Sequence, residues 1–302
     1  MTTLSLDFET RSVVDLKRAG AHRYAADPST DVWCACYAVD DGPVNVWRPG
    51  DEPPPYERDW TIAGWNVAFE RLIWNGICTP RYGWPVPALE QFDDTAATAA
   101  AMGLPRKLEH AAPAMGSAHL KDDEGHRLML QMMRPRRARK GEPAGLYWWD
   151  DEDRIERLIA YCVKDVEAER ALRHLMIPLP AAEREAYLFD QKLNDRGMLL
   201  DVELIHAMLR VTGQAKEDLD ARMAAATSGA ATACTQVARI VAFIDGYGEN
   251  IPSLAKAALA EALDDPSLPE YVRTVLELRQ SAAKSSTAKL DAMLACRSAD
   301  GR

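Results

Sequence analysis

The sequence predicts an α/β domain followed by an all-α segment. Three observations carry that prediction. Short alternating and β-branched runs fill the first fifty positions, strand and helix patterns alternate after residue 60, and helical periodicity prevails beyond residue 111. The length of 302 residues also suits two domains, since ~150 is typical of one.

Element by element, Leu4, Leu6 and Phe8 alternate with Ser5 and Asp7, which predicts a first strand. Val32–Val39 and Val44–Trp47, separated by Asp40-Asp41-Gly42, predict a hairpin with Gly42 supplying a positive φ. The prolines of Gly50–Pro55 mark a loop. A strand near Thr61–Trp65 leads into a helix carrying Phe69, Leu72, Ile73 and Ile77 at helical spacing. Asp150–Leu175 opens with acidic residues and shows Ile155, Leu158, Ile159, Cys162 and Val166 on one broad face, a helix whose start suits the dipole. Pro178 and Pro180 break it and set the expected boundary, with domains over 1–178 and 179–302. Helices are predicted over Ala181–Asn194, Leu204–Ala225, Thr235–Tyr247, Leu254–Leu263 and Leu268–Leu294.

Composition narrows the function classes. Hydrophobic residues make up 47% and charged residues 27%, which is globular rather than disordered. No apolar run reaches the ~20 residues of a membrane span, and the acidic N-terminus MTTLSLDFET does not read as a secretory signal. Six scattered cysteines without a CxxC pair suit free thiols in a reducing compartment, so a cytoplasmic location is expected. With 36 Lys+Arg against 46 Asp+Glu, the net charge of −10 means that any nucleic-acid contact must be local.

Three short patterns carry chemistry. Asp7 and Glu9, two apart on a strand, leave the same face. Such a pair suits a divalent cation such as Mg²⁺ or Mn²⁺, or else the wet face of an edge strand. Tyr161 and Asp165, at i and i+4 on a helix, stack on one side, where they suit a metal and a water or a plain helix surface. Between them, Asn66 stands at a strand–helix junction as a candidate cap, with Glu70 in the first turn.

Taken together, Asp-x-Glu, Asn-x-x-x-Glu and Tyr-x-x-x-Asp resemble the three motifs of the DEDDy 3′–5′ exonucleases. The surrounding text, LDFETRS, GWNVAFERLIW and YCVKDVEAER, is similar to the proofreading domain of phage-type family A DNA polymerases, over roughly residues 1–180. The resemblance implies a ribonuclease H-like mixed sheet and two-metal phosphodiester hydrolysis with Mg²⁺ or Mn²⁺. It implies a substrate of DNA with a single-stranded or mismatched 3′ end, shortened to nucleoside 5′-monophosphates in a bacterial or phage-infected cell. By the same resemblance, Asp7, Glu9 and Asp165 hold one ion, Asp7 and Glu70 the other, Tyr161 orients the water, and Thr10, Val13 and Asn66 line the terminal nucleotide. Glu70 departs from the family, whose middle motif ends in Asp. An RNA 3′ exonuclease and a catalytically weak DNA-binding or assembly module are the alternatives.

Weaker features complete the reading. Arg134, Arg136, Arg137, Arg139 and Lys140 precede Tyr147-Trp148-Trp149, a basic loop that suits single-strand contact or merely solvation. Asp93 and Asp94 precede a helix and suit capping, or else one supplies the fourth carboxylate in place of Glu70. Trp33, Trp47, Trp65 and Trp74 are expected in the core. Arg11 suits a phosphate or a salt bridge. The histidines, including His119 and His126, show no ligand spacing. REAYLFDQKLNDRGMLLDVELI and YVRTVLELRQSAAKSSTAKLDAML resemble the beginning of a family A polymerase domain. No palm carboxylate pair follows, so no polymerase activity is expected from this chain alone. The resemblance implies a fragment, or one part of a split polymerase with a separate palm and fingers chain as partner, and an exposed apolar face on these helices is the expected sign of a palm that covers them.

Overall fold

The computed structural model describes residues 2–117, 122–249, 251, 253–283 and 289–302. Residues 2–199 and 296–302 form one compact unit and residues 200–295 another.

The first unit is built on a five-stranded mixed sheet. In chain order the strands are β1 (Thr3–Arg11), β2 (Asp31–Val39), β3 (Asn45–Trp47), β4 (Thr61–Gly64) and β5 (Phe92–Asp94), arranged β3-β2-β1-β4-β5. The β1–β2 and β2–β3 pairs are antiparallel, whereas β4 and β5 run parallel to β1. β1 is therefore central. Its even residues Leu4, Leu6 and Phe8 enter a core with Trp47, Ile62, Trp74, Trp84 and Phe92. The indoles interlock edge to face, with Trp74 and Trp84 centroids 4.7 Å apart at 84°. Its odd residues look the other way, toward α7 (Glu152–Leu175), where Cys34, Cys36 and Ala38 of β2 pack on Ile159, Cys162 and Val166.

The predicted hairpin is present, but the positive φ of its turn falls on Asp40 (φ 47°), not on Gly42. Gly42 is instead required for space, because a Cβ there would stand 2.9 Å from the Val39 carbonyl oxygen. After β4, the helix α2 (Ala68–Ile73) passes through a π-type turn at Trp74–Cys78 into α3 (Thr79–Tyr82). The expected cap at Asn66 is also corrected. Asn66 adopts the left-handed conformation (φ 63°), which asparagine tolerates better than most residues, and the cap position falls at Val67 without a side-chain bond.

The other flanking helices of this unit are α1 (Leu16–Ala26), α4 (Thr95–Ala101), α5 (Leu108–Ala114) and α6 (Asp123–Met132). The basic segment is not an open loop. β6 (Arg136–Arg137) pairs with β7 (Leu146–Tyr147), Arg136 bonds Glu142 at 2.7 Å, and Arg134 bonds Asp15 at 2.9 Å. Trp149 lies within 5.3 Å of the Arg139 guanidinium and 5.2 Å of that of Arg154, while Trp148 packs edge-on to Trp33. The aromatics thus hold the ribbon to its own domain. Arg11 likewise serves structure, paired with Asp31 at 3.3 Å and stacked on Trp33. Trp65, expected in the core, is only half-buried.

The helix α8 (Ala181–Arg196) belongs to the first unit, although the prolines before it suggested a boundary at 178/179. Arg71 grips Asp195 with two bonds of 2.7 and 2.9 Å, Arg184 donates to the Phe92 carbonyl at 2.6 Å, and Tyr187 donates to Asp94 at 3.0 Å. A break in helix geometry is not a break in packing.

Among its described residues the second unit has helices joined by turns and loops, and no strand. It contains α9 (Val202–Ala226), α10 (Val237–Asp245), α11 (Lys256–Asp264), α12 (Glu270–Ala282) and most of α13 (Lys289–Cys296) around Met223, Ile240, Ile244, Leu259, Val272, Val275 and Leu276. The helix expected over Leu268–Leu294 is seen as α12 and α13, and residues 284–288 between them lie outside the described residues. Along α9, Leu204, Met208 and Val211 are 54%, 41% and 64% exposed at i, i+4 and i+7, an apolar stripe turned outward. Among the described residues no helix is long and apolar enough to cross a membrane.

Candidate functional site

A cleft of about 830 Å³ opens in the first unit, with Asp7 on its surface. The alternation of β1 sends Asp7 and Glu9 to the α7 side, opposite Cys36 and Cys34 of β2 in the strand register. The helical repeat of α7 brings Tyr161 and Asp165 to the same cleft. Glu9 and Glu70 are 6% and 4% exposed and do not line the cleft.

The four carboxylates share one electrostatic environment. Burial pushes Asp7 well above the usual carboxylate range, and the charge of Asp165 pushes it further. Burial followed by Asp7 raises Glu9, and burial followed by Asp7 also raises Glu70. Asp165 is pushed up to about 6 by burial, against a lowering contribution from the Tyr161 hydroxyl beside it. Among the described residues no lysine or arginine forms an ion pair with any of the four. One Glu70 oxygen, Oε2, is buried without a hydrogen-bond partner. Crowded, desolvated carboxylates with an unpartnered oxygen fit hard divalent cations such as Mg²⁺ and Mn²⁺, which take oxygen ligands.

The other expected site residues separate into two groups. Asn66 lies on the cleft wall, its N–H donating to Asp94 at 3.1 Å. Thr10 is buried, its hydroxyl 2.9 Å from that of Tyr24, and Val13 is 52% exposed; neither lines the cleft. Asp93 sits near Arg184 at 3.8 Å. Asp94 caps α4 through the Ala96 and Ala97 amides at 2.9 and 3.2 Å and accepts from Tyr187, so both its oxygens are engaged.

Several cleft residues escaped the sequence reading. Glu169 continues the stripe Tyr161–Asp165–Glu169 at i+4 spacing, a signal that was available; it is buried, accepts a bond from the Thr95 hydroxyl, and lies 3.8 Å from Arg173. Behind the cleft wall, the fully buried Cys162 follows Tyr161 and places its Sγ 3.3 Å from Asp7 Oδ2. Asp122, His126, Tyr187 and Gln191 complete the wall from α6 and α8, which nothing local in the sequence connects to β1. Arg106 and Lys107 bring positive charge to the same cleft.

Gly125 fixes where Tyr161 stands. A Cβ at this position would lie 2.5 Å from Tyr161 Cδ2 and 3.0 Å from its Cβ, so α6 approaches the phenol ring only because residue 125 lacks a side chain. Asp122, paired with Arg157 and with Lys164 at 3.0 Å, caps α6 through the Gly125 amide at 2.8 Å and holds it there. Gly125→Ala should therefore displace the ring and destabilise the protein by about 1–3 kcal/mol. Thermal melts would check this, and an unshifted melt would refute it.

No protein-family model matches the chain. The chain is similar to a DNA polymerase of Bacillus phage SP02, with 31% identity over 308 aligned residues that take in 97% of this chain and 46% of that protein. It thus spans about half the length of the relative it matches.

Proposed function

We propose that the first unit is a metal-dependent 3′–5′ exonuclease with a ribonuclease H-like fold, and that it serves as the proofreading part of a family A DNA polymerase. The observation that carries this reading is the meeting of Asp7, Glu9, Glu70 and Asp165, from three separated segments, beside Tyr161, with no lysine or arginine ion-paired to any of the four among the described residues. The similarity to a phage DNA polymerase supports it, as do Arg106 and Lys107 on the wall of an otherwise acidic cleft, which suit backbone phosphates, Lys107 once released from its 3.2 Å pair with Glu109. The outward apolar stripe of α9 supports a polymerase palm, in this or a separate chain, as the cover of the helical unit.

Asp7, Glu9 and Asp165 would hold one ion, and Asp7 with Glu70 the other. When bound, divalent cations supply Lewis-acid polarisation of the phosphate and lower the pKa of an attacking water. Tyr161 orients that water as a hydrogen-bond partner and never as a base, because burial and the adjacent carboxylates push its phenol upward and keep it protonated. Asn66, which lines the cleft, would meet the terminal nucleotide. Thr10 and Val13, which like Glu9 and Glu70 do not line the cleft, would flank the same nucleotide.

The test is digestion of a 5′-labelled single-stranded DNA with Mn²⁺. The expected result is a ladder shortening from the 3′ end, release of nucleoside 5′-monophosphates, and resistance of a 3′-phosphorylated strand. Shortening from the 5′ end, or none at all, would overturn the reading; a matched RNA strand reports the sugar preference.

Glu70 supplies a separate check. Its side chain reaches ~1.5 Å farther than an aspartate, a difference that contact through water absorbs. Glu70→Ala should lower turnover by at least about tenfold. Glu70→Asp should retain activity with an altered Mg²⁺/Mn²⁺ preference, and equal loss in both variants would contradict a water-mediated role.

A further inference from the structure

Behind the carboxylates, on the same face of the sheet, three buried thiols meet. Cys34 and Cys36 alternate on β2, Cys162 comes from α7, and their sulfurs all lie within 4.8 Å of one another. Asp7, Glu9 and Cys162 form an equally tight group, with Cys162 Sγ 3.3 Å from Asp7 Oδ2. A single buried cysteine is ordinary core filling. Three converging sulfurs, one of them against a cleft carboxylate, form a donor set.

We infer that Cys34, Cys36 and Cys162, with Asp7 as the fourth donor, constitute a site for a thiophilic divalent cation, Zn²⁺, that shares Asp7 with the hard-cation site. Sulfurs bound tetrahedrally at ~2.3 Å stand ~3.8 Å apart, so closing the trio asks for side-chain movements of about 1 Å or less. Binding forms three zinc–sulfur bonds and one zinc–oxygen bond, and releases the three thiol protons, together with the Asp7 proton where that carboxyl is protonated, to solvent. Asp7 reaches the cleft surface and gives the ion its way in. Thiolates select zinc over Mg²⁺, which prefers oxygen ligands and surrenders its water reluctantly. It follows, resting on the exonuclease reading, that Zn²⁺ withdraws Asp7 from Mg²⁺ and inhibits hydrolysis.

The test uses Co²⁺ as a spectroscopic stand-in, titrated into the chelator-treated full chain under reducing conditions. A thiolate-to-cobalt charge-transfer band, tetrahedral visible bands and their displacement by one equivalent of Zn²⁺ are expected. The paired variant Cys34→Ala/Cys36→Ala should lose the charge-transfer band and raise the Zn²⁺ concentration for half-inhibition at least about tenfold, relative to its own Mg²⁺-supported rate. Absence of the band in the wild-type chain, or its persistence in the variant, would overturn the site. Cobalt held by thiolates without zinc inhibition of an active enzyme would overturn the sharing of Asp7. A chain with no nuclease activity at all would count against the exonuclease reading, while the spectra would still decide the thiol site.

Discussion

Asp7→Ala should lower exonuclease turnover by at least about a hundredfold while raising the melting temperature of the metal-free protein. The activity loss follows from the proposed role of Asp7 as the carboxylate common to both ions; even groups that only support metal ligands are worth about 10–100-fold. The stability gain follows from electrostatics. Asp7 is desolvated and repelled by Asp165, and it in turn raises Glu9 and Glu70. Removing it relieves several unfavourable pairs, each kcal/mol gained being worth roughly 2–4 °C in a domain of this size. Asp7→Asn, which keeps the shape, separates charge from volume. A variant that keeps a tenth of wild-type activity, or one that melts lower in both forms, would exclude Asp7 from this role.

The metal-free protein should also lose stability as pH rises through the range where the site carboxylates ionise. Asp165 titrates near 4 when unfolded and near 6 in the fold, so the folded state binds more protons across that interval. Stability then falls with rising pH, by up to about 1.4 kcal/mol per pH unit for each proton in excess. Asp7, Glu9 and Glu70, raised chiefly by burial, act in the same direction. Asp122 acts oppositely, since its bond to Arg157 holds it low, but that contribution is lost only as pH falls below its unfolded value near 4. Mn²⁺ binds the ionised carboxylates, so it should stabilise more at pH 8 than at pH 5.5. Calorimetry with chelator should give a higher melting temperature at pH 5.5 than at pH 8, and Mn²⁺ should recover most of the difference. A melting temperature that climbs from pH 5.5 to pH 8 with chelator and ignores Mn²⁺ would contradict the crowded carboxylates.

Residues whose placement depends on their own segment were legible in the sequence. The two-residue repeat of β1 determined that Asp7 and Glu9 share a face, and the helical repeat determined that Tyr161 and Asp165 stack on α7. Asp94 was read as a cap from the helix that follows it, and it caps that helix. The same local reasoning misplaced the cap at Asn66 and the positive φ at Gly42, because backbone geometry at a junction answers to the strands it joins.

The sequence by itself determined β1 to β4, the helices after β4, over 150–175 and beyond, the faces of β1 and α7, and the three segments that carry the candidate carboxylates; it did not reveal α1, β5 or the β6–β7 ribbon. Only the tertiary structure decided that α8 stays with the sheet, that Gly125 sets the position of Tyr161, and that the basic segment folds back on Trp149. It also decided that Cys34, Cys36 and Cys162 meet beside Asp7. The physical reason is the range of the interactions. Periodicity is a property of one segment, whereas a packed ring, a guanidinium clamp or a shared cleft joins residues of different segments, from ten to more than a hundred positions apart, and close packing alone selects their partners.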